Sequence, residues 1–172
     1  MGVTGLLAAL ASCSATDSAP PPNILLVTVD TLRADVLGAY GASDARTPRI
    51  DQLAREGTLY ERAITPMPLT RPAHFSIFTS RYPREHGVVN NALSLPEDAT
   101  TLAERLREHG YRTGAFVGVH LLSTEAGAAQ GFDAFGEVDA KTKYRSGDLV
   151  VDEALSWLAE QSPKSPVFLW VH

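Results

Sequence analysis

The residues of this chain best suited to chemistry are a hydroxyl, a carboxylate and several histidines, each placed by local sequence where a fold would present it. The hydroxyl is Thr70. Pro66 and Pro68 stiffen an extended approach, and Pro72 marks the first turn of a helix, where a fixed φ and a missing N–H are tolerated. Ala73, Phe75, Ile77 and Phe78 make the following turns apolar, so the helix is expected to enter the protein while its start faces a cleft. Free N–H groups and the positive end of the helix dipole at such a start favour an anion, such as sulfate or phosphate. A threonine before a proline is equally an ordinary helix start, and these residues alone leave both roles open.

The carboxylate is Asp30, which follows the apolar run Asn23 to Val29. If that run is a strand of a parallel sheet, Asp30 sits at its carboxyl end, where open α/β sheets form their ligand crevice. It either serves the site or caps the turn into Thr31. A threonine hydroxyl is a weak nucleophile that needs a base or a metal, and Asp30 beside Thr70 would meet that need through a bound divalent cation. Among the histidines, His120 and His172 follow strand-like runs and so lie nearer the crevice. His74 on the helix is open between a catalytic and a packing role, His86 reads as a loop residue fixing Gly87, and His109 as an exposed helix end.

The elements that must position these residues alternate. Asn23 to Val29 reads as a strand buried on both faces; Thr47-Pro48 opens a helix with Ile50, Leu53 and Ala54 inward, ended by Gly57; Thr58 to Ile64 reads as a returning strand. After the helix that starts near Thr70, 90–98 is loop. Thr101-Leu102-Ala103-Glu104 is a capping box opening a helix with Leu102 and Leu106 inward, closed by Gly110. Arg112 to Gly118 is a strand, Gly131-Phe132-Asp133 a turn, and Asp148 to Glu160 a helix with Val151, Ala154, Leu155 and Leu158 on one face. Pro166 to Val171 is a buried strand ending at His172. The alternation predicts an α/β fold, a doubly wound, mostly parallel sheet with helices on both faces. Ending on a strand with no helix after it, the domain is expected to be incomplete at its C-terminus.

With 172 residues, 44% of them hydrophobic, the chain can bury one good core, and a net charge of -5 gives no reason to expect nucleic acid as a partner. Cys13 is the single cysteine, so no intrachain disulfide can form. Gly5 to Ala11 is a short apolar stretch, too brief to span a bilayer, running into Ser12-Cys13. Leu10-Ala11-Ser12-Cys13 resembles the lipobox of a bacterial lipoprotein, which implies lipidation at Cys13, a membrane partner through the lipid anchor, and a cell-envelope location, lipid-anchored or periplasmic. The expected organisation is a leader over 1–13, a linker over 14–22, and the N-terminal part of a catalytic domain over 23–172.

Thr70-Arg71-Pro72-Ala73-His74, continued by F-S-I-F-T-S-R-Y-P and His86-Gly87-Val88, resembles the signature helix of the sulfatase branch of the alkaline phosphatase superfamily. N-I-L-L-V-T-V-D-T-L-R-A-D, with G-A-Y-G after it, resembles that family's opening metal-binding strand, and Gly131-Phe132-Asp133 its G-F-D element. The resemblance implies that Asp30 is a metal ligand, with Thr31 standing where many members carry a second Asp. Thr70 falls where sulfatases carry the Cys or Ser that becomes formylglycine, so no formylglycine is expected; Thr70 itself becomes the nucleophile and a metal ligand. His74 replaces the motif's Arg, and aligning His120 with the His of a G-K-W-H-L element puts Gly118 where the Lys belongs. The cation implied is calcium, with zinc, manganese or magnesium as alternatives. The function implied is metal-dependent hydrolysis of sulfate or phosphate esters, with Thr70 and His74 catalytic, Asp30 and Thr70 on the metal, and His120 and His172 on the anionic ester substrate. The alternatives are a phosphoryl-group transferase with a Thr nucleophile, and a catalytically inactive lipoprotein that binds anions or glycans. Residues 1–172 alone are not expected to turn over substrate.

Overall fold

In the computed structural model, residues 21–172 are described; Cys13, the expected leader and most of the expected linker lie outside them. In chain order come β1 (Ile24–Val27), α1 (Pro48–Glu56), α2 (Thr70–Thr79), α3 (Pro83–His86), α4 (Leu102–Glu108), β2 (Arg112–Phe116), β3 (Ala134–Gly136), α5 (Gly147–Ala159) and β4 (Val167–Val171), with four short 3-10 turns between them. The strands form one sheet in the order β1-β4-β2-β3, every pair parallel. Parallel neighbours need crossover connections; helices supply them between β1 and β2 and between β3 and β4, and a loop with two 3-10 turns joins β2 to β3.

Alternation along the strands divides the side chains between two cores. Phe168 and Trp170 of β4 join Ala115 of β2 against Phe75 and Phe78 of α2 and Ala103 of α4. On the opposite face Val167 and Leu169 pack with Phe116 against Val150 and Ala154 of α5. Helices thus cover both faces, as the alternation predicts. Phe132 lies between strands and helices, stacked on Phe168 and Trp170 and edge-on to Phe78. The turn before it requires glycine: Gly131 has φ +90°, and a Cβ there would lie 2.4 Å from the backbone nitrogen of Glu104 at the start of α4. The capping box forms as read, with Thr101 Oγ1 accepting from the Glu104 N–H at 3.2 Å and Glu104 accepting from the Thr101 N–H at 2.8 Å.

Several expectations fail for identifiable reasons. Strand β1 is buried on one face only, with Leu25 64% and Val27 58% exposed, because it lies at the sheet edge and α5 covers its neighbours instead. Residues 58–64 form no strand. Their apolar residues stay outside, Ile64 88% exposed, and β propensity without a neighbouring strand to satisfy the backbone does not make a strand. In α1, Ile50 and Leu53 are exposed, and in α4 it is Ala103 with Leu106 that faces inward while Leu102 is exposed. Helix α5 is rotated from the expected face. Val150, Ala154 and Trp157 point to the sheet, the indole filling space that Gly114 leaves open, while Val151, Leu155 and Leu158 line a groove with Leu25 and Val27. The helix carries two adjoining apolar stripes, and a period of 3.6 cannot choose between them. Strand β3 carries no signal in the sequence, since three residues are too few to show alternation.

Candidate active site

The carboxyl end of β1 opens onto a cleft of about 650 Å³, whose lining includes Asp30, Thr31, Arg33, Thr70, His74 and Asn91. Its position is the one the parallel sheet predicts. Thr70 is the first residue of α2 and Asp30 lies just past β1. Although 40 residues separate them in sequence, Thr70 Oγ1 donates to Asp30 Oδ2 at 2.9 Å. Helix α2 thus begins two residues before Pro72, which still lies in the first turn, where no N–H is needed.

The helix start offers an anion less than its sequence suggests. Leu69 precedes it and gives no side-chain cap. The Arg71 N–H donates to Asn91 Oδ1 at 3.0 Å, the Ala73 N–H to the Leu69 carbonyl at 3.0 Å, and Pro72 has none. The Thr70 N–H is the one donor of this first turn with no partner among the described residues. The Arg71 guanidinium is also committed, its Nε at 2.6 Å from the Leu121 carbonyl and Nη1 at 3.2 Å from that of Leu93. It anchors the loops behind the helix. Arg33 lines the cleft but is paired with Asp35, and this exposed pair raises the Arg33 pKa through its hydrogen bond to Asp35.

Beneath the Thr70–Asp30 pair lies a polar cluster. His74 Nδ1 is 2.7 Å from the Thr70 carbonyl and its Nε2 is 3.2 Å from Thr28 Oγ1. Thr28 Oγ1 also meets His172 Nδ1 at 2.7 Å and Trp170 Nε1 at 3.0 Å. The two imidazoles pack edge to face with centroids 4.6 Å apart, and His172 Nε2 is 4.0 Å from Asp30 Oδ2. Burial lowers both histidines: His74 falls below the usual range against the pull of the Thr70 carbonyl and Asp30, and His172 is pushed down to about 4, with His74 adding to the shift. His120 is not among the residues lining the cleft, and its Nδ1 is buried with no partner among the described residues. His86 does fix its turn, Nδ1 accepting from the Val88 N–H at 3.2 Å while Nε2 meets Ser76 Oγ at 3.0 Å. The sequence gives no sign of this role for Thr28, because a threonine inside an apolar run looks like β propensity. Only the facing histidines reveal its hydroxyl as a hub.

Thr31, beside Asp30, holds φ +54°, a left-handed conformation unusual for a β-branched residue. Such a residue costs on the order of 1–3 kcal/mol and persists where its surroundings impose it. As for a cation, Asp30 and Thr70 present two oxygens together on the open cleft wall, a donor type that suits a hard divalent ion. Among the described residues, no three or more His, Cys, Asp or Glu side chains are grouped to hold a metal. The pair therefore fits as part of a ligand set, since such ions take about six to eight oxygens.

A parallel α/β sheet with a hydroxyl and a carboxylate at its carboxyl edge is the architecture of the alkaline phosphatase/sulfatase-like folds it superposes on. The family model described as Sulfatase matches residues 22–172, and the chain belongs to the sulfatase family. It is 34% identical over 149 residues to rat steryl-sulfatase, covering 76% of this chain and 26% of that protein. It is 38% identical over 110 residues to human arylsulfatase D, covering 58% and 18% respectively. Among solved structures, one described as in complex with its substrate D-glucosamine-2-N,6-O-disulfate superposes with TM-score 0.78 at 24% identity, over 88% of this chain and 34% of that one. The phosphonate monoester hydrolase of Agrobacterium radiobacter gives TM-score 0.72 at 22% identity, over 88% and 40%. The chain thus spans 18% to 26% of the length of these two curated relatives.

The lowered histidines set a pH dependence of stability. Above pH ~6.5, the ordinary histidine value, both folded and unfolded chains hold them neutral and their contribution is complete. As pH falls from there towards the folded value of His172, about 4, the unfolded chain takes up protons that the folded chain refuses, and stability is lost. Urea unfolding of the whole protein with chelator present, followed from neutral to acid pH, should show this loss. The double variant His74→Asn/His172→Asn should lose less stability over that window than wild type; equal losses would contradict the burial argument.

Proposed function

We propose that the whole protein is a metal-dependent hydrolase of sulfate or phosphate esters in which unmodified Thr70 is the nucleophile. The observation that carries this reading is the hydrogen bond from Thr70 Oγ1 to Asp30 Oδ2 at a helix mouth on an open cleft. In the attack, the Thr70 oxygen bonds to phosphorus or sulfur and the ester oxygen departs with its organic group. The hydroxyl proton leaves along its existing bond toward Asp30. The Thr70 N–H and the dipole of α2 face the charge that develops on the transferring group. His74, bonded to the Thr70 carbonyl, fixes the residue that carries the nucleophile.

Asp30 and Thr70 would hold the cation, calcium by family resemblance, as part of a larger ligand set. Such an ion supplies Lewis acidity and increases the alkoxide character of a bound hydroxyl. Water completes a hydrolase cycle by releasing the group from Thr70, whereas an acceptor hydroxyl would make the protein a phosphoryl transferase. Sulfated ligands come into view because relatives are named as sulfatases and one structural neighbour is described with a disulfated glucosamine. His172 lies beside Asp30 but, like His120, is not among the residues lining the cleft, so either would reach substrate only if other segments extend the cleft.

Thr70→Ala should abolish most turnover of sulfate and phosphate monoesters by the whole protein, and Thr70→Ser should retain a substantial part, because the hydroxyl survives. Turnover that persists in Thr70→Ala contradicts the nucleophile, and turnover indifferent to chelation contradicts the metal. Wild-type binding of an anionic ester without turnover would instead identify the inactive, anion-binding alternative. We also propose that the protein is tethered to a bacterial envelope membrane through a lipid on Cys13, which lies outside the described residues. Cys13→Ala should then move the protein from the membrane fraction to the soluble one; a wild type that is already soluble refutes the tether.

A further inference from the structure

Thr28 Oγ1 has three partners and a single proton. A hydroxyl donates once and accepts through two lone pairs. Trp170 Nε1, at 3.0 Å, can only donate to it. The roles of the other two partners, His74 Nε2 and His172 Nδ1, are settled from the far side of His74. Its Nδ1 faces the Thr70 carbonyl at 2.7 Å, and a carbonyl only accepts, so Nδ1 carries a proton. His74 is 7% exposed, and a second proton on Nε2 would make it a buried cation. Nε2 is therefore bare and takes the Thr28 proton.

His172 Nδ1 now faces, at 2.7 Å, an oxygen whose only proton is already given away. It must donate. The His172 side chain is 3% exposed, so it too keeps one proton, and Nε2 is left with a lone pair 4.0 Å from Asp30 Oδ2. We infer that Thr28 is a positioning residue: its hydroxyl passes the polarity set by the Thr70 carbonyl through His74 to His172, and holds His172 Nε2 as an unprotonated acceptor beside Asp30. Such a nitrogen repels an anionic oxygen. It accepts from a water or hydroxyl, or ligates a cation, so His172 is not the anion donor that its place after a strand suggests. The assignment of protons stands on the hydrogen bonds and on the burial of both rings; only its bearing on turnover rests on the function proposed above.

The test is a long-range ¹H–¹⁵N spectrum of the imidazoles in the whole protein at neutral pH with chelator present, with resonances assigned through His74→Asn and His172→Asn. Wild type should show Nδ1 protonated and Nε2 unprotonated in both rings. Thr28→Ser keeps the hydroxyl and should keep this pattern, whereas Thr28→Val should shift His172 Nε2 towards the protonated resonance position. A wild-type His172 protonated on Nε2, or an unchanged ring in folded Thr28→Val, overturns the inference. If Thr28→Val does not fold, the wild-type and Thr28→Ser spectra decide alone. Thr70→Ala retains its backbone carbonyl and should leave both tautomers in place whatever it does to turnover, so failure of the nucleophile and failure of the relay are separately visible.

Discussion

The pairing of β1 with β4 is the constraint on which the site depends. Ile24 to Val27 run in register with Phe168 to Val171, and the Thr28 N–H continues the ladder to the Val171 carbonyl at 3.0 Å. That register brings Thr28, Asp30 and His172 to one edge, though β1 and β4 lie at opposite ends of the described chain. Trp170 secures it from below, fully buried, packed on Phe78 and Phe132, with its indole N–H bound to Thr28. A register slip would turn Thr28 and Trp170 to opposite faces and dismantle the cluster.

On that edge the electrostatics are deliberate in their economy. A net hydrogen bond from a charged group contributes roughly 1.5–3 kcal/mol, so the two carbonyl contacts of Arg71 hold it to the loops rather than release it to a substrate. Asn91 takes a further N–H of the helix start. Among the described residues of the helix start, what remains for an anion is the Thr70 N–H and the helix dipole. His74 and Gly118, which the family resemblance sets against a motif Arg and Lys, are occupied otherwise. His74 serves the Thr70 carbonyl and Thr28 instead, and the Gly118 N–H bonds the His172 carbonyl at 2.8 Å, where a side chain would crowd that oxygen.

Much of this was legible in the sequence because its signals are local. The Thr101–Glu104 box, the apolar run before Asp30 and the prolines around Thr70 each act within a few residues, and the sheet's parallel order follows from their alternation. What stayed hidden depends on partners distant in the chain. Nothing within 58–64 reveals that no strand pairs with it, nothing in α5 chooses between Val151 and Val150 as the buried residue, and nothing near Thr28 announces two histidines. The Thr31 backbone is likewise imposed by its setting, since its residue type argues against φ +54°. Strand logic puts His120 near the crevice, yet its Nδ1 is buried and the residue is not among those lining the cleft.

The central claim is that an unmodified threonine at the mouth of α2 takes the transferring group. Acid-quenching the whole protein during turnover of a phosphate or sulfate ester, then measuring the mass of the peptide that carries Thr70, addresses it directly. The account predicts Thr70 with its encoded mass before substrate, and a fraction bearing one phosphoryl or sulfuryl group on that residue during turnover, absent from Thr70→Ala. A modified Thr70 before substrate, or a transferred group found on another residue, would contradict it.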